Sequence, residues 1–75
     1  MIKYNYAKLR GRIVEICGNN REFAKAMDLS EHSMSRKLAS EIPFKQTEIT
    51  KAVAVLDIKD TDIKDYFFTL VVQND

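Results

Sequence analysis

The sequence predicts an all-α domain of five short helices followed by an apolar C-terminal segment, and three observations lead there. Apolar residues recur at helical spacing along the chain. The clearest case is Ile49, Ala52, Val53 and Leu56, at the i, i+3, i+4 and i+7 positions of one face. The 75 residues include two glycines and one proline, which leaves little room for a loop-rich or all-β design. Residues that cap helices, Asn5, Asn19, Ser30 and Asp60 or Thr61, stand where the periodic stretches begin.

The first helix is expected to start near Asn5 and to end at Cys17. Gly18 takes the left-handed conformation that closes many helices. Tyr6, Leu9, Ile13, Ile16 and Cys17 trace its buried stripe, and Lys3, Lys8, Arg10 and Arg12 surround that stripe as a solvated face. Gly11 inside this helix costs about 1 kcal/mol against alanine. Close packing against a neighbour is one reason to keep it.

The stretch from Asn19 to Ala39 predicts a helix-turn-helix. Its first helix runs from about Asn20 to Met27, with Phe23, Ala24 and Met27 facing inward. Asn19 caps it and forms a capping-box-like pair with Glu22. The turn is Asp28-Leu29-Ser30: Leu29 plugs the space between the helices, and Ser30 caps the second one. Ala24 is small where the two helices must cross closely. The second helix, Glu31 to about Ala39, turns Met34 and Leu38 inward. Glu31, His32, Ser33, Ser35, Arg36 and Lys37 mostly point out, as a short groove-reading helix requires.

In Phe23-Ala24, Leu29-Ser30 and Met34-Ser35-Arg36-Lys37-Leu38 the sequence resembles the phage repressor and Cro family of lambda-repressor-like helix-turn-helix regulators. It departs from that family at Asp28, where glycine is usual; aspartate tolerates the left-handed region better than most residues. The flanking YNYAKLRGRIVE and DYFFTL are similar to small phage-encoded switch proteins of this type. The resemblance implies a transcriptional regulator of phage or prophage origin that binds double-stranded DNA, as a homodimer on a two-fold symmetric site.

If the domain binds DNA, Glu31, His32, Ser35 and Arg36 are the side chains placed to meet bases. Arg36 leads, because its planar fork can pair with guanine O6 and N7. Glu31 can accept from cytosine N4 but also repels phosphates. Asn20, Ser33, Lys37 and Lys45 are the candidates for phosphate contact; Asn20 matches a family position that commonly touches phosphate.

After the groove-reading helix, Ser40-Glu41-Ile42-Pro43-Phe44 reads as a loop, with Phe44 folding back onto the core. The fourth helix spans about Lys45 to Leu56. A link at Asp57–Asp60 tucks Ile58 inward, and a fifth helix from Thr61 to about Phe67 buries Ile63 and Phe67. Residues 66 to 72, Tyr-Phe-Phe-Thr-Leu-Val-Val, are far more apolar than a chain end usually is. They either complete the core of their own domain or meet the same segment of another copy.

Seventy-five residues make one domain near the size where a single core is marginal, and dimerisation would help it. The single cysteine cannot form an internal disulfide, and no zinc-site spacing is present. With no apolar leader and no run long enough to span a membrane, a cytoplasmic protein without a membrane partner is expected. Net charge is +1, weak for a nucleic-acid binder, but it is unevenly spread. Residues 1 to 51 hold ten Lys and Arg against six Asp and Glu, or +4; residues 52 to 75 hold two against five, or −3.

No catalytic constellation is visible, so no enzyme and no cofactor are expected. His32 is the sole histidine, Cys17 falls on a buried face, and the carboxylates are scattered. A second function class fits the same residues. Some small phage proteins of this fold grip a repressor protein instead of an operator, as antirepressors or modulators of repression. The low net charge, Glu31, the acidic second half and the apolar tail all suit that alternative.

Overall fold

The computed structural model describes residues 3–71, and they form the five helices that the periodicity predicts. Helix α1 spans Ala7–Cys17, α2 Asn20–Ala26, α3 Glu31–Leu38, α4 Gln46–Val55 and α5 Ile63–Phe67. A single 3-10 turn, Asp60–Asp62, leads into α5 where the sequence predicted that helix to have begun already. Among the described residues the only β-pairing is one antiparallel bridge, between Tyr4 and Leu70.

The caps of α2 and α3 are built as their chemistry requires, whereas no side-chain cap bond forms at Asp60 or Thr61, since α5 begins at Ile63 behind a 3-10 turn. The Asn19 side chain accepts from the Glu22 N–H at 2.8 Å, and the Ser30 hydroxyl accepts from the Ser33 N–H at 3.0 Å. Asn5 sits one residue further out than expected and accepts from the Ala7 N–H at 2.9 Å. Gly18 closes α1 at φ 91°. Asp28 is left-handed at φ 57°, and Ser40 and Asp57 end α3 and α4 in the same region at 60° and 51°.

Leu9, Ile13, Phe23, Ala24, Met27, Met34, Leu38, Ala52, Leu56, Ile58 and Phe67 are buried together with Tyr6, and Leu29 and Phe44 pack against them half-buried. The Phe44 ring stands nearly perpendicular to Tyr6 and to Phe67, at centroid distances of 5.4 and 5.5 Å. Thus the loop after α3 is tied to both ends of the chain.

Three features of α1 differ from the sequence expectation. Ile16 is 46% exposed rather than buried, since it lies on the flank of the Leu9–Ile13 stripe beside Arg12. Gly11 has no close neighbour: a Cβ built there meets nothing within 4 Å. Arg10 and Arg12 are not merely solvated either. Arg10 Nη2 donates to the Leu38 carbonyl at 2.9 Å, and Arg12 donates to the carbonyls of Leu56 and Asp57 at 2.9 and 3.2 Å. Each guanidinium satisfies carbonyls that the end of a helix, α3 or α4, leaves without an intrahelical partner.

Part of the apolar end takes the first of its two expected roles. Phe67 completes the core, whereas Phe68, Leu70 and Val71 are 46%, 56% and 45% exposed. Residues 69–71 run antiparallel to 3–5: the Asn5 N–H donates to the Thr69 carbonyl at 2.7 Å, and the Val71 N–H to the Lys3 carbonyl at 3.0 Å. The Tyr4 N–H is held by the Ser40 hydroxyl at 3.0 Å, which attaches this ribbon to the end of α3. Val72, the last residue of the expected segment, lies outside the described residues.

Candidate interaction surface

The helix-turn-helix geometry places α3 on the surface with one face outward. Glu31, His32, Ser35 and Arg36 are all exposed there, as expected, and among the described residues Arg36 makes no ion pair. The formal charges of Glu31 and Arg36 cancel. This surface carries no net positive charge with which to hold a phosphate backbone.

Lys37 departs most from the sequence reading. Its side chain is 7% exposed and points inward, with Nζ 2.9 Å from Glu48 Oε1 and donating to the Pro43 carbonyl at 3.0 Å. The same Nζ lies 5.9 Å from the centre of the Phe44 ring. Glu48, 14% exposed, also accepts from the Lys45 N–H at 2.8 Å, the returning half of a capping box at the start of α4. Burial by itself raises the Glu48 carboxyl, but the Lys45 N–H and the Lys37 ammonium outweigh it and hold the group below its ordinary value of 4.5. Lys37 is therefore held inward by Glu48 and Pro43 instead of pointing outward as a phosphate contact would.

The remaining phosphate candidates are also separated. Ser33 is half-buried and belongs to the cap, its hydroxyl accepting from Ser30 Oγ at 3.0 Å. Asn20 is half-buried at the first residue of α2, and Lys45 is exposed at the start of α4. Spacing held the signal for Lys37. Three residues after buried Met34 and one before buried Leu38, it sits about 60° from Met34 around the helix. There an aliphatic stem can pack inward.

Cys17 offers no ready nucleophile, because burial, and then the nearby charge of Glu22, push its thiol up from 9.0. Among the described residues no group of three His, Cys, Asp or Glu is placed to hold a metal ion. None of the helices described is long and apolar enough to cross a membrane.

The family model described as "Protein of unknown function (DUF739)" matches residues 2–70. The chain belongs to the DUF739 family. Among solved structures, this DUF739 chain is similar to the solution structure of the modulator of repression (MOR) of the temperate bacteriophage TP901-1 from Lactococcus lactis. The identity is 47%, covering 88% of this chain and 89% of that one, with a TM-score of 0.78. No curated protein matches it. The likeness to a phage modulator of repression overturns the expectation of a Cro- or repressor-type, DNA-binding transcriptional regulator, and it supports the alternative reading. The physical reason lies in α3: its local pattern is that of a groove reader, but one of its two cations is folded inside and the other is offset by Glu31.

Proposed function

We propose that the chain is a phage modulator of repression that acts by binding a phage repressor protein. One observation carries this reading: 47% identity to the TP901-1 modulator of repression, extending over nearly nine-tenths of both chains. The electrically balanced outer face of α3 supports it, since protein partners do not need the run of cations that phosphates do. The proposed role is that of a binding protein without catalytic chemistry.

The test is to mix the purified protein with the repressor encoded by the same phage and follow complex formation by size-exclusion chromatography and calorimetry. A parallel gel-shift series has the repressor already bound to its operator. A stable complex, with altered retention of the repressor on DNA, is expected. Absence of any complex, together with direct retardation of operator DNA by the protein alone, would overturn the proposal.

A further inference from the structure

We draw no further inference here: the strongest candidate, the exposed apolar edge formed by Phe68, Leu70 and Val71 where the end of the chain pairs with residues 3–5, carries nothing because nothing in the structure shows what covers it.

Discussion

Lys37 Nζ lies 2.9 Å from Glu48 Oε1, and both side chains are largely withdrawn from water. The pair joins α3 to the start of α4. Its geometry also leaves few loose ends: the ammonium donates to the Pro43 carbonyl, and the carboxylate accepts the Lys45 N–H. Such a pair contributes little over a well-packed apolar substitute, yet breaking it from one side exposes the full cost of a stranded charge.

Lys37→Ala is therefore expected to lower the free energy of unfolding by about 3 kcal/mol. Its effect should be on stability and not on nucleic-acid affinity. Lys37→Met and Glu48→Gln should each destabilise, and the double variant should lose less than the two singles together, because neither partner is then left charged and alone. Urea unfolding of the four proteins checks this. Losses that add to within about 0.5 kcal/mol would show that the two groups do not interact.

The same carboxylate predicts a pH dependence. Its folded-state titration lies below the ordinary value of 4.5, so its contribution is present above that value and is lost as pH falls through the lower, folded-state one. The stability difference between the native protein and Glu48→Gln should be constant at neutral pH and shrink on acidification below 4.5. A difference that grows under acid would mean that burial, and not the Lys37 and Lys45 contacts, governs the group.

The contrast between Ser30 and Lys37 marks how far the sequence could be read. Ser30 caps α3 through a contact three residues away, and Asn19 does the same for α2, so both follow from local spacing alone. The left-handed backbone of Asp28 was legible only through the resemblance to regulators that usually carry glycine at that position. Lys37 needed a partner eleven residues on, across a loop whose path the sequence does not set. Arg10 and Arg12 reach carbonyls 28 and 44 residues away. The pairing of residues 3–5 with 69–71 joins the two ends of the chain, beyond any local signal. Four of the eight expected contact residues, Glu31, His32, Ser35 and Arg36, do share the exposed face of α3. Their shared face was legible; what it meets was not, and for Lys37 the spacing indicates an inward stem without naming the glutamate of the next helix that it reaches.

Gly11 lies within α1 with no atom near enough to require its lack of a side chain. Glycine in a helix interior costs about 1 kcal/mol relative to alanine, through the freedom the unfolded chain loses. Gly11→Ala should accordingly stabilise the protein by about 0.5–1 kcal/mol with no loss of partner binding. A decrease in the urea midpoint would instead reveal that this exposed stripe is needed bare.

Arg12 makes the opposite case, a surface cation whose removal should be costly. Its guanidinium bonds two carbonyls at the end of α4 and also meets Glu15 at 2.8 Å. Arg12→Ala should destabilise by about 1.5 kcal/mol or more, as expected when a charge-assisted hydrogen bond to a partly buried carbonyl is lost. Lys25, whose Glu22 contact is 3.8 Å on an exposed face, serves as the control. Its alanine variant should stay within about 0.5 kcal/mol of the native protein, as exposed ion pairs usually do. Equal losses at the two positions would remove the distinction drawn between a capping arginine and a solvated lysine.

The charge balance of α3 can be tested by changing it. Glu31 and Arg36 cancel on the outer face while Lys37 is committed to Glu48, so the native protein should leave duplex DNA unretarded at physiological salt. Glu31→Lys replaces an exposed anion with a cation and brings that face from zero to two positive charges without touching the core. It should gain weak, sequence-independent DNA binding that disappears as salt is raised, since each phosphate neutralised releases a counterion and steepens the salt dependence. Gel-shift titrations at two salt concentrations separate the outcomes. Retardation by the native protein equal to that of the variant would mean that the protein holds duplex DNA through cations elsewhere, and that the charge balance of α3 does not govern its affinity for phosphates.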